Sequence, residues 1–238
     1  MQIITVQFNY PDRSNYKILL DVFRYSCQKY MPKVKFNSIC IEAPENKTGR
    51  ALNFNYNTIK LEKWVQFLES TKDDNVILAD CDMIAIRSAE HAFKFDFDIA
   101  YTERTRIKRI PNNGGIMFVK VNHKSVNFFK EMLKINIKML HDSRFHQLWR
   151  SKYAGMNQAA FGYMTETYRD KINLHKFKTI EFNAVDCDWP SINDKTIFVH
   201  CKSKLRKMIL KENPGRPEYK KAATLWYGLH KEMVNKKK

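Results

Sequence analysis

Two aspartates one residue apart, Asp80 and Asp82, directly follow the apolar run 76–79 in the segment VILADCDM. Residues i and i+2 of an extended segment point to the same side, so both carboxylates can face one ligand. A hard divalent cation is the natural ligand for two such oxygens. The D-x-D pattern recurs at Asp96/Asp98 and Asp186/Asp188, so the pattern alone carries little. Context separates the three: a cation site needs carboxylates held rigidly yet reachable, and in open α/β sheets that place is the carboxyl end of a strand. Only Asp80 and Asp82 follow an uninterrupted apolar strand, the alternative being two solvated acids at the start of a loop. A third candidate ligand, His200, ends the short apolar run TIFVH.

The elements that must position these groups follow from periodicity. IITVQF (3–8) reads as a buried first strand, followed by a helix that Ser14 can cap and that ends before Pro32. KFNSICIEA (35–43) is a second strand. A helix opening at Asn57 or Thr58 then places Ile59, Leu61, Trp64, Val65 and Leu68 on one face, and NVILA (75–79) is a third strand. FDIAY and GGIMFVKV are strand-like on either side of a basic loop; helical patterns cover 128–140, 156–168 and 217–233, and 196–200 is a last strand. This alternation predicts an α/β fold with a mixed, mostly parallel sheet flanked by helices. With no repeat, low-complexity segment or linker, one domain over 1–238 is expected.

The chain of 238 residues is 44% hydrophobic and carries a formal charge of +17, so its surface should attract anions. Peripheral contact with an anionic surface is compatible with that charge, and no apolar run approaches the roughly 18 residues of a transmembrane helix. The five cysteines are an odd number without C-x-x-C spacing, which argues against a disulfide framework and a structural zinc site. A reducing, cytoplasmic setting is expected.

Two enzyme classes place a D-x-D at such a strand end. Asp80, Asp82 and Ile84 partly match phosphotransferases that form an aspartyl-phosphate, with Asp80 as nucleophile, but that class carries its motif on the first core strand and needs a later G-D-x-x-x-D, absent here. The other class is the nucleotide-sugar-dependent glycosyltransferases of the GT-A fold, which this chain resembles over most of its length, in particular the glycogenin-like and lipopolysaccharide galactosyltransferase-like enzymes. Beyond the acidic motif, NNGGIMFVK (112–120) looks like their N-x-G segment, GMNQAAFGYM (155–164) is similar to their D-Q helix start, and FVHCKSKLRK (198–207) resembles their H-x-x-G-x-x-K segment.

The resemblance implies a Rossmann-like GT-A domain whose nucleotide-binding half covers about 1–122 and whose acceptor-side half covers about 123–238. It implies transfer of a sugar from a nucleoside-diphosphate sugar, with UDP favoured, to a glycan or other hydroxyl acceptor. Asp80, Asp82 and His200 would hold Mn²⁺ or Mg²⁺, with Asp80 able to reach the ribose instead. Phe8, Tyr10 and Lys60 would contact the nucleotide, Asn113 and Gly114 would let backbone approach the donor, and the basic cluster Lys202, Lys204, Arg206 and Lys207 would close over the diphosphate, with Lys204, Arg206 and Lys207 the alternatives for the family's lysine. Arg206 occupies the family's lysine position, and Ser203 stands where glycine is frequent. Asn157 and Gln158 occupy the D-Q position under the sugar. Asn157 cannot take a proton, so retention is favoured; inversion would need Asp186 or Asp188 as a base, with Trp189 as a sugar platform. A basic nucleic-acid-binding protein is the non-enzymatic alternative, disfavoured by the absence of a helix-turn-helix, zinc or RNP signature.

Overall fold

The computed structural model describes residues 1–9, 16–43, 49–104, 111–154, 156–211 and 216–236, and for 49–53, 156 and 157 the backbone only. Six strands form the main sheet: β1 (Gln2–Asn9), β2 (Lys35–Glu42), β3 (Asn75–Ala79), β5 (Ile99–Glu103), β6 (Asn112–Lys120) and β7 (Leu174–Lys178), in the order β2-β1-β3-β6-β5-β7. Pairing is parallel except on both sides of β6, so five strands run one way and β6 runs against them. A second, two-stranded antiparallel sheet joins β4 (Met83–Ala85) to β8 (Phe198–His200).

Alternation along the central strands explains why the sheet is covered on both faces. Ile4, Val6, Val76, Leu78, Met117 and Val119 pack with α2 (Gly49–Ser70), α3 (His123–His141) and α5 (Met156–Thr167). Ile3, Ile77, Ala79, Ile116 and Phe118 point the other way, toward α1 (Tyr16–Tyr30) and one face of the β4–β8 sheet. The other face of that small sheet, Ile84 and Val199, packs under α7 (Ser203–Ile209) and α8 (Lys220–Asn235). Both faces of each central strand are therefore buried, which is why the sequence there is continuously apolar.

Two helix starts differ from the periodicity. The second helix begins at Gly49 rather than at Asn57 or Thr58; Thr58 lies inside it, its hydroxyl donating to the Phe54 carbonyl. The helix predicted over 128–140 starts at His123, because Asn122 caps it by accepting from Lys124 and Ser125 N–H groups. The short strands β4 and β7, α4 (Ser143–Lys152) and the one-turn α6 (Thr179–Phe182) were not expected from the pattern. Ser14 and most of the basic loop lie outside the described residues.

Candidate donor cleft

The carboxyl ends of β1, β3 and β5 and the amino end of β6 share one edge of the sheet. A cleft of about 370 Å³ opens there, reaching Phe8 on β1, Lys60 on α2, Asp80 and Asp82 after β3, Asn113 on β6, Gln158 on α5 and His200 on β8. The acidic turn is fixed by its backbone: the Asp80 N–H donates to the Gly115 carbonyl (2.8 Å), and the Cys201 N–H donates to the Asp82 carbonyl (2.7 Å). These bonds tie Asp80 to the main sheet and Asp82 to the small one.

Asp80, Asp82 and His200 converge, each offering a ligand atom within 4.8 Å of the other two. His200 Nε2 lies 3.1 Å from an Asp82 oxygen and 3.6 Å from an Asp80 oxygen. Resident cations complete the arrangement: Lys60 Nζ is 2.7 Å from Asp80, and Arg206 is 3.1 Å from the second Asp82 oxygen. Burial opposes the charge on Asp82, but the His200 imidazole and the Arg206 guanidinium outweigh it and hold the carboxyl below the usual carboxylate range. Burial, with Asp82 and Asp80 on either side, pushes the Cys81 thiol up, so it stays protonated and is a poor nucleophile. Two carboxylates and one imidazole at this separation fit a hard or borderline divalent ion such as Mn²⁺ or Mg²⁺.

Gly115 sets how closely His200 approaches β6. A Cβ on Gly115 would lie 2.6 Å from His200 Cε1 and Nδ1, so only glycine lets the imidazole lie against β6. Asn113 is anchored beside it, its Oδ1 accepting from the Gly115 N–H (2.9 Å) and its carbonyl accepting from the Thr102 hydroxyl (3.2 Å). Several polar atoms of residues lining the cleft are buried without a hydrogen-bond partner among the described residues: Gln7 Oε1, Asn113 Nδ2, Gln158 Oε1, His200 Nδ1 and Arg206 Nε. Unpaired buried polar groups are costly, and several together in one cleft mark a place where a ligand can supply partners.

No family model matches the chain, and no curated protein sequence matches it. Solved structures do. A glycosyltransferase involved in glycosylation of the major capsid of PBCV-1 is 13% identical over 87% of this chain and 97% of that one, with TM-score 0.58. The galactosyltransferase LgtC, solved with donor and acceptor sugar analogues, is 12% identical over 98% and 96%, with TM-score 0.56. The chain has the GT-A glycosyltransferase fold. A third structure, the glycosyltransferase GlyE of Streptococcus pneumoniae TIGR4, is 10% identical over 99% of this chain and 63% of its own, with TM-score 0.56.

On this GT-A frame the cleft gathers Phe8, Lys60, Asp80, Asp82, Asn113, Gly114, Gln158, His200 and Arg206. Lys204 is exposed and does not line it, whereas Lys202 does. Tyr10 and the side chain of Asn157 lie outside the described residues. Asp188 is 8% exposed and turned back onto its own turn, accepting from the Val185 N–H (3.3 Å). Asp186 is ion-paired to Arg104 and Lys202, and neither Asp186 nor Asp188 lines the cleft. Trp189 is 1% exposed, its ring edge-on to Tyr219 and its Nε1–H donating to the Ala184 carbonyl; it is a core residue, not an accessible sugar platform.

Sequence reasoning missed Gln7, Tyr16, Tyr56 and Asn57 as lining residues; of the basic cluster it drew from 202–207, Lys202 and Arg206 line the cleft. Gln7 carried a signal: it is the polar residue near the end of an apolar strand, with its side chain buried at 3% exposure. Tyr56 lies one helical turn before Lys60, so a site holding one of them could hold both.

Proposed function

We propose that the protein is a metal-dependent glycosyltransferase that moves a sugar from a nucleoside-diphosphate sugar, with UDP the favoured nucleotide, to a glycan or other hydroxyl acceptor. The observation that carries this reading is the convergence of Asp80, Asp82 and His200 beneath a cleft also lined by Lys60, Lys202 and Arg206. Asp80, Asp82 and His200 would hold the ion. When bound, the ion supplies Lewis-acid neutralisation of the diphosphate leaving group. Lys202 and Arg206 would stabilise negative charge on the departing nucleotide. Phe8 and Tyr56, whose rings pack against each other at 4.5 Å, would present one aromatic surface to the base, and Gln7 Oε1 would accept a hydrogen bond from it.

Gln158 Oε1 would accept a hydrogen bond from a sugar hydroxyl, consistent with its lack of a partner among the described residues. Retention is the favoured stereochemical outcome. Among the described residues, Asp80 and Asp82 are the carboxylates lining the cleft, and both belong to the metal set. Asp186 is a poor candidate for a base: although burial opposes its charge, Lys202 and Arg104 hold its carboxyl below the ordinary range.

Thermal melting with UDP, GDP and ADP, each with Mn²⁺, tests the reading. A ligand at a hundred times its dissociation constant adds about 2.7 kcal/mol of stability. UDP should give the largest rise, and the rise should vanish when the metal is chelated. Melting unchanged by all three nucleotides at millimolar concentration would remove the donor assignment.

A further inference from the structure

At the rim of the cleft lies an ion chain that the metal set does not use. Arg104, at the end of β5, has a side chain only 3% exposed, and its Nη2 lies 2.8 Å from Asp186 Oδ2. Lys202 Nζ lies 3.2 Å from the same oxygen, and Lys202 lines the cleft beside Arg206. Asp186 has φ 37°, in the left-handed region that a residue other than glycine enters at a cost. Strain of this kind persists where the surroundings over-determine a position. Here both cations hold the same carboxylate oxygen.

Resting on the donor-diphosphate reading, we propose that Asp186 is a positioning residue: with Arg104 behind it, it aims the Lys202 ammonium at the donor diphosphate. One ammonium hydrogen is directed to Asp186, leaving two for phosphate oxygens. Arg104 is too buried to meet the substrate and acts through Asp186. A basic side chain two residues beyond His200 thereby becomes a fixed diphosphate contact, while Lys204, exposed on α7, does not. This assigns Asp186 a role different from that of an in-line base, although its carboxylate lies near the same cleft.

The test is a double-mutant cycle on UDP affinity, measured by calorimetry with saturating Mn²⁺, using Lys202→Gln, Asp186→Asn and the double variant. Asparagine tolerates the left-handed backbone and keeps an oxygen for Arg104, so circular dichroism and melting should stay close to wild type. Each single change should weaken UDP binding about tenfold, about 1.4 kcal/mol, and the double variant should be no weaker than Lys202→Gln alone. A carboxylate that merely stood near the diphosphate would repel it, so tighter binding by Asp186→Asn would overturn the proposal. So would additive effects, or unchanged UDP affinity with a fall in turnover, which would identify a base. If wild type bound none of UDP, GDP or ADP, this proposal and the donor reading would both fall; normal wild-type binding with an additive cycle removes this proposal alone.

Discussion

Gly115→Ala probes the metal set without touching a ligand. Its Cβ would lie 2.6 Å from two ring atoms of His200, whereas ordinary contact begins at 3.4 Å, so the ring must retreat by about 0.8 Å. The retreat is opposed. His200 is 4% exposed, its backbone N–H donates to the Ala184 carbonyl (3.0 Å), and its strand pairs with β4. Metal–ligand distances tolerate about 0.2 Å, and disturbing the groups that orient a ligand typically lowers metal affinity about 10–100-fold. Overpacking of this kind costs about 1–3 kcal/mol of stability. The assay is Mn²⁺ titration in the absence of nucleotide, with Gly114→Ala as control. A Cβ at Gly114 meets only the flexible end of Met117 at 3.0 Å and should leave Mn²⁺ affinity within about twofold of wild type. Wild-type Mn²⁺ affinity in Gly115→Ala would refute the placement of His200 in the metal set.

Other outcomes follow from the same geometry. Gln158→Ala should lower turnover more than it raises the donor KM, because its oxygen acts at the reacting sugar; steady-state kinetics with a UDP-sugar would reveal a pure KM effect if that is wrong. Trp189→Ala should cost about 3–5 kcal/mol of stability, read by denaturant melting, while UDP affinity in the folded protein changes little. Because the folded-state pKa of Asp82 is depressed, its ion pairs contribute stability above the ordinary carboxylate value of about 3.9 and lose it as pH falls toward the folded value. Metal-free wild type should therefore lose melting temperature more steeply than Asp82→Asn below about pH 4, and parallel curves would contradict that linkage. NMR of the product should show an α-linked sugar from an α-linked donor, whereas a β-linked product would identify an inverting enzyme.

The central sheet was legible because its strands are buried on both faces: runs such as NVILA can hardly be anything but interior, and β3 spans the expected 75–79. The edge strand β7 was not legible. Its sequence, LHKFK, buries only Phe177 and owes its conformation to backbone pairing with β5. The early start of α2 was hidden for a similar reason, since Phe54 enters the core from a polar, asparagine-rich stretch with no apolar period. In the cleft, the acidic pair was readable from its place after a strand. His200 lies 118 residues from Asp82, and no local pattern links them; only the ordered resemblance to GT-A enzymes did so. The sequence could not distinguish an inward-turned Asp188 or a buried Trp189 from exposed ones, because a polar or aromatic residue in a loop carries no direction. Nor could it reveal the pairing of Asp186 with Arg104, which depends on the end of β5 meeting a turn 82 residues later.

The most direct measurement of the central claim is release of nucleoside diphosphate from a panel of nucleoside-diphosphate sugars incubated with Mn²⁺ and the wild-type or Asp82→Asn protein. Wild type should hydrolyse or transfer from at least one UDP-sugar, and lose that activity on chelation. Asp82→Asn should be inactive while remaining folded by circular dichroism. Asp82→Asn turnover close to wild type, or wild-type activity that survives removal of the metal, would contradict a glycosyl transfer site built on Asp80, Asp82 and His200.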